Sequence, residues 1–178
     1  MKILGISGSL RKNSFNTALL RAAQELVAPG TELEIYVPDK LPLFSQDVEK
    51  DLPQAVIDYK RKVEEADAII FATPEHNHTI PAVLKNAIEW GSRPEGQSSW
   101  YGKTIGIMGV SSGMIATARA QMHLREVVFA LKAKVIGERL EILVAKGQDK
   151  FDENGKLVHE YTITKIKELL GALEKEVK

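Results

Sequence analysis

Apolar positions along the chain follow two rhythms. Ile3–Ile6, Ala66–Ala72 and Thr104–Val110 are apolar at nearly every position, as strands buried on both faces of a parallel sheet are. Between them, apolar residues recur every three or four positions, which predicts amphipathic helices. Lys2–Ser7 reads as a first strand. Asn16–Val27 reads as a helix with Leu19, Leu20, Ala23, Leu26 and Val27 as its stripe, stopped by Ala28-Pro29-Gly30. Thr31–Tyr36 alternates like a second strand. After a polar loop from Val37 to Leu52, Pro53 starts a helix to Glu65 with Val56, Tyr59, Lys60 and Val63 along one side. The same reasoning predicts a short helix over Ala82–Trp90 behind Pro81, a long one over Ile115–Leu131 and a closing one over His159–Glu176. Lys134–Ile136 and Glu141–Val144 are short strand pieces, and residues 151–156 form a turn.

Strand–helix alternation without repeats or a linker predicts one doubly wound α/β domain over residues 1–178, with a parallel sheet and helices on both faces. In such sheets ligands sit at the carboxyl ends of the strands, near the switch in strand order. If the strand order is 2-1-3-4-5, three loops lie side by side there: Gly8–Asn16, Thr73–Pro81 and Ser111–Gly113. Strands about 4.8 Å apart make the three span about 10 Å, which suits a flat tricyclic ring.

Charge and composition narrow the chemistry. The 24 basic and 24 acidic residues balance, which gives no support to a nucleic-acid or anionic-membrane surface. No apolar run is long enough to span a bilayer. The start, Met1-Lys2-Ile3-Leu4-Gly5, is a strand rather than a signal peptide, so a cytoplasmic protein is expected. There is no cysteine, which removes thiol redox chemistry and cysteine-ligated clusters and leaves any electron transfer to a bound cofactor.

The first loop, GSLRKNSFN, matches neither G-x-x-x-x-G-K-[ST] nor G-x-G-x-x-G. It nevertheless offers Ser9 and Ser14 hydroxyls, the Asn16 amide, the Arg11 guanidinium and the free N–H groups of the helix that follows. Lacking a Walker lysine, it suits a phosphate held as an anchor; a plain capped βα loop is the competing reading. In TPEHNHTIP, Pro74 stiffens the backbone, Asn77 tolerates unusual dihedrals and Thr79 is positioned to cap the next helix. His76 and His78 are a candidate metal pair without an evident third ligand. The small residues of GVSSGM let backbone amides approach a ligand. A calcium loop at KFDENGKLVHEY fails, because Lys150 and Tyr161 occupy its end positions; Asn154-Gly155 reads as a turn. His123 and His159 read as surface or packing residues. Trp90 and Trp100 read as packing, or as a wall near the ring.

Taken together, Gly8-Ser9-Leu10-Arg11, Ser14-Phe15-Asn16, Thr73-Pro74-Glu75-His76-Asn77, Pro81, Leu84-Lys85-Asn86-Ala87-Ile88, Trp90, Arg93-Pro94, Arg119-Ala120-Gln121 and Leu124-Arg125 resemble the NADPH-dependent FMN reductase family of flavodoxin-like proteins, the group that includes chromate and quinone reductases. The resemblance runs over essentially the whole chain. It implies FMN as cofactor, with Ser9, Arg11, Ser14 and Asn16 at its phosphate, Leu10 and Phe15 in the same loop, Pro74, Glu75, His76 and Asn77 along the isoalloxazine ring, and Ser111, Ser112 and Gly113 on its pyrimidine side. It also implies electron flow from NAD(P)H through FMN to a quinone, flavin, azo dye or metal oxyanion by ping-pong turnover. A homodimer or homotetramer is expected, through helix 82–90 and helix 115–131. An FMN-binding electron carrier or redox sensor without nicotinamide chemistry is the alternative, and a fold that has lost the cofactor and serves as an interaction module is a third. Two departures stand out: His76 where a tyrosine is usual, and Ile115-Ala116 where the family often has Gly-Gly.

Overall fold

The chain alternates strands and helices: β1 (Lys2–Ser7), α1 (Phe15–Glu25), β2 (Glu32–Tyr36), α2 (Gln54–Glu65), β3 (Ala68–Ala72), α3 (Ala82–Ser92), β4 (Thr104–Val110), α4 (Ala118–Ala130), β5 (Lys134–Val135), β6 (Ile142–Val144) and α5 (Glu160–Val177). The computed structural model describes residues 1–136 and 141–177. Its sheet is parallel throughout, in the expected order β2-β1-β3-β4-β5. The fifth place is held by two pieces, with β5 paired along Thr104–Ile105 and β6 along Met108–Val110.

Side chains alternate across the central strands and divide the core in two. Ile3, Ala68, Ile70, Ala72, Met108 and Val110 pack with α1 and α5 through Leu19, Leu20, Ile166 and Leu169. Leu4, Ile6, Ile69, Phe71, Ile105 and Ile107 pack with α2, α3 and α4 through Val56, Tyr59, Leu84, Ile88 and Leu124. Every residue of β3 and β4 is buried, as their unbroken apolar runs predict. Each fully buried aliphatic or aromatic side chain contributes about 1.5–3 kcal/mol.

The long connections are tied down by polar bonds. Lys60, on the buried side of α2 as its periodicity predicts, donates to Gln97 O at 2.9 Å and Ser99 Oγ at 2.8 Å. Burial lowers the pKa of this ammonium group, with the Glu64 charge opposing. Both tryptophans are core residues and not a wall of the ligand site: Trp90 Nε1 donates to Pro42 O at 2.7 Å and Trp100 Nε1 to Ile88 O at 2.9 Å. Asn86 completes the clamp on the 37–52 loop, accepting from Phe44 N and donating to Pro42 O. Residues 151–156 form the predicted turn, closed by a backbone bridge between Phe151 and Leu157, with Gly155 at φ 77°.

Trp100 sets a tight limit on α3. A Cβ placed at Gly91 lies 2.5–2.6 Å from three atoms of the indole ring. Gly91→Ala is expected to cost about 1–3 kcal/mol of unfolding free energy through overpacking, measured by urea denaturation; an unchanged midpoint would show that Trp100 is free to shift.

Candidate functional site

The three predicted loops leave the sheet at one end and are bonded to their neighbours as they do so. Gly8 N donates to Ala72 O at 2.8 Å, Thr73 N to Met108 O at 3.0 Å, and Ser111 N to Val144 O at 3.0 Å. Parallel pairing therefore continues one step past the strands and sets the loops side by side. Between them lies a cavity of about 190 Å³ lined by Ser9, Arg11, Ser14, Phe15, Asn16, Pro74, Glu75, His76, Val110, Ser111 and Ser112. A cleft of about 320 Å³ adjoins it. Glu75, Ser111 and Ser112 line both, and Asn77, His78, Gly113, Met114, Ile115, Ala116 and Arg119 complete the cleft. Leu10 lines neither; its side chain is half exposed, turned to solvent from the loop that carries it.

Polar groups here divide into committed and uncommitted. Ser14 is the N-cap of α1, its hydroxyl accepting from Thr17 N at 3.3 Å. Ser7 and Thr17 hydroxyls bond at 2.8 Å beneath the loop. The Asn16 amide, expected as a phosphate donor, instead donates to Val110 O at 2.9 Å and accepts from Val110 N at 3.0 Å. Being 3% exposed, it couples α1 to β4. Phe15 both lines the cavity and stacks on Phe151 at 5.2 Å. The Arg11 guanidinium is exposed and makes no hydrogen bond or ion pair among the described residues. The N–H groups of Phe15 and Asn16, ahead of the first bonded turn, are likewise unpaired among the described residues. An uncommitted guanidinium at the positive end of a helix is an anion site in waiting.

The second loop is a tight hairpin. His76 and Thr79 exchange both backbone bonds at 3.0 Å, and the two residues between them, Asn77 and His78, have φ values of 48° and 67°. Asn77 meets its expectation; a left-handed histidine beside it was not anticipated. Thr79 does not cap α3. That helix starts at Ala82 with Pro81 as N-cap, and the Thr79 hydroxyl lies 2.9 Å from Nδ1 of His123.

Glu75 spans the cleft. Its carboxylate accepts from the backbone N–H of Arg119 at 3.1 Å and of Ala120 at 3.3 Å, and from Arg119 Nε at 2.6 Å. It thus caps α4 from another loop. This explains why α4 begins at Ala118 and not at Ile115 as its sequence predicts: Ala116, at φ 55°, bends the chain so that the capped turn faces Glu75. Burial raises the Glu75 pKa, but the hydrogen bonds from Arg119 and Ala120 and the Arg119 charge outweigh it and hold the carboxyl below its ordinary 4.5. Sequence reasoning placed Glu75 along a ligand and left Arg119 outside the site. The two lie 44 residues apart, and no periodicity of the chain links them. Among the described residues no three His, Asp or Glu side chains gather as metal ligands, and no helix is long and apolar enough to cross a membrane.

Residues 1–146 match the sequence profile of the NADPH-dependent FMN reductase family. The chain belongs to that family. It is an oxidoreductase of the class that works with FMN and NAD(P)H. It is 41% identical to an NAD(P)H-dependent FMN reductase of Pseudomonas aeruginosa over 98% of this chain and 94% of the relative. It is 40% identical to a 2-hydroxy-1,4-benzoquinone reductase of Burkholderia sp, over 91% of this chain and 88% of that one. The fold superposes on FerB, a flavoenzyme NAD(P)H:(acceptor) oxidoreductase from Paracoccus denitrificans, with a TM-score of 0.88 and 29% identity over 98% and 97% of the two chains. In this chain the Glu75–Arg119 bridge is a feature of the cleft wall rather than of the phosphate loop.

Because the Glu75 pKa is lower in the folded protein, its carboxylate stabilises the fold above pH 4.5 and that contribution is lost as pH falls through the folded-state value. Glu75→Gln is expected to cost about 1–2 kcal/mol at pH 7, reduced by the partial exposure of Arg119. Urea unfolding at a series of pH values checks this; the gap between the two proteins should close in acid, and a gap independent of pH would contradict it.

Proposed function

We propose that the protein is an NAD(P)H oxidoreductase that holds FMN across the three loops and reduces a quinone or related acceptor by ping-pong turnover. The observation that carries this is the convergence of the uncommitted Arg11 guanidinium, the N-terminal turn of α1 and two further βα loops on one cavity. FMN, when bound, supplies the two-electron chemistry, taking hydride from the nicotinamide and passing electrons to the acceptor.

The chain's own residues position and polarise. Arg11, Ser9 and the N–H groups of Phe15 and Asn16 suit the phosphate. Asn16 acts there by its backbone and holds β4 with its side chain. Pro74 to Asn77 form a stiff edge for the ring, and the turn at Ser111–Gly113 offers the Ser112 N–H, unpaired among the described residues, where negative charge develops on reduction. Ser111 Oγ accepts from Gly113 N at 3.2 Å, which keeps that turn closed. Met114 and Ile115, 72% and 58% exposed on the cleft, give an apolar lip suited to a hydrophobic acceptor.

The same reading includes a homo-oligomer built on α4. Met122 and Phe129 are spaced seven apart on that helix and are 57% and 82% exposed, a spacing that suits the seam of a helix pair.

The purified protein is expected to be yellow, and NADPH added without oxygen should bleach its flavin band rapidly. Inability to bind added FMN would sink the proposal, and bound flavin that stays oxidised would assign an electron carrier instead. Arg11→Ala should raise the FMN dissociation constant about tenfold or more, read by fluorescence titration. Phe129→Asp should shift the sedimenting species toward the monomer; a wild type that already sediments as a monomer at micromolar concentration would refute the seam.

A further inference from the structure

A cavity of about 530 Å³ lies between β6 and the first turn of α5. Its floor is apolar, with Ile142 and Val144 buried. The ring of Tyr161, 67% exposed, lines it, with Lys165 Nζ over one face at 5.8 Å from the ring centre and the His159 ring edge-on to it at 6.3 Å. Its rim is basic. Lys146, Lys150 and Lys165 line it with His159, against one carboxylate, Glu141. Lys165 donates to Glu168 at 2.6 Å. Lys146 and Lys150 have no carboxylate within 4.0 Å among the described residues. His159 is held through Nδ1 by the Thr162 hydroxyl at 2.8 Å, which leaves Nε2 available. The N–H groups of Glu160, Tyr161 and Thr162 are also unpaired among the described residues, since the first bond of α5 runs from Ile163 N to His159 O.

An inorganic anion has no use for the apolar floor and the exposed ring face, and a neutral hydrophobe has none for the cations. The combination suits a ligand that is both aromatic and phosphorylated. The cavity also shares a wall with the cleft. Met114 lines both. The backbone of Lys146 donates to Gly113 O at 3.3 Å, and that of Gly147 to Ser111 O at 2.9 Å. Gly147 makes the contact feasible, because a Cβ there would lie 2.7 Å from Val110 Cγ2 and 3.1 Å from the Phe15 ring.

On the reading of the protein as an NAD(P)H oxidoreductase, we infer that this cavity binds the phosphorylated adenosine end of the dinucleotide, with Lys146 and Lys150 taking the 2′-phosphate and Tyr161 stacking on the adenine. The nicotinamide end then reaches the cleft past Met114. The site selects NADPH over NADH, because only the former carries the group the two lysines bind.

The probe is adenosine 2′,5′-bisphosphate, titrated by calorimetry into the FMN-loaded protein, with adenosine 5′-monophosphate as control. The bisphosphate should bind about tenfold or more tighter than the monophosphate, as expected for added charged hydrogen bonds. Lys146→Gln with Lys150→Gln should abolish that difference and lower the ratio of NADPH to NADH kcat/KM by about tenfold. Tyr161→Ala should weaken both probes alike, by about fivefold or more, as loss of a stacked base does. Equal binding of the two probes, or discrimination intact in the double variant, would overturn the inference. The titration into the flavin-free protein separates this failure from failure of the functional reading: probe discrimination without flavin reduction would retain the cavity and discard the reductase, and flavin reduction without probe discrimination would do the reverse.

Discussion

The site depends on one constraint: the parallel registration of β1, β3 and β4. Ser7 lies opposite Ala72, and Ala72 opposite Met108. Three strands that end in step deliver three loops to one level, and the ladder bonds that continue into Gly8 and Thr73 keep them there. Parallel pairing requires crossovers, and right-handed crossovers bring helices back over both faces. The two-sided core and the convergence of the loops therefore have a common origin. Burial of Ile70 and Phe71 on opposite faces of β3 is the packing counterpart of that registration.

Within this frame the site is built by exclusion as much as by attraction. Polar side chains near the loops are consumed in holding them: Ser14 on α1, Asn16 on β4, Glu75 on α4 and Thr79 on His123. What remains for a ligand is backbone N–H groups, small hydroxyls and the exposed cations. A pre-formed shell of this kind loses little entropy when an anion arrives, which is why helix N-termini and fixed loops serve as phosphate seats. A flavin or nicotinamide carries its own reactivity, so positioning of this sort is the protein's main contribution.

Glu75 gives the cleft its individual shape. By capping α4 from the β3–α3 connection, it replaces a local cap that Thr117, whose hydroxyl accepts from Gln121 Nε2 and from no backbone N–H of the helix, does not provide. The turn before α4 is then free to carry Met114 and Ile115 outward, and Ala116 takes up the left-handed bend. Where the family resemblance leads one to expect two glycines, this chain has Ile115, exposed on the cleft, followed by the buried Ala116. The cleft keeps its charge in the Glu75–Arg119 pair and its width from the hairpin at Asn77-His78.

Much of this was legible in the order of residues. Unbroken apolar runs marked β1, β3 and β4, and helical spacing marked α1, α2, α3 and α5 to within a few residues, because those rhythms record which face of each element is buried. The loops GSLRKNSFN, TPEHN and SSG, read with the strand order they imply, located the candidate site and the family. Tertiary structure alone decided how individual side chains are spent. Asn16 belongs to Val110, 94 residues away, and Glu75 to Arg119, 44 residues away; the start of α4, the burial of both tryptophans and the basic cavity beside β6 are settled at the same range. Periodicity is local and survives in one dimension. A hydrogen bond is chosen by whichever partner the fold brings within reach, and no spacing in the chain records it.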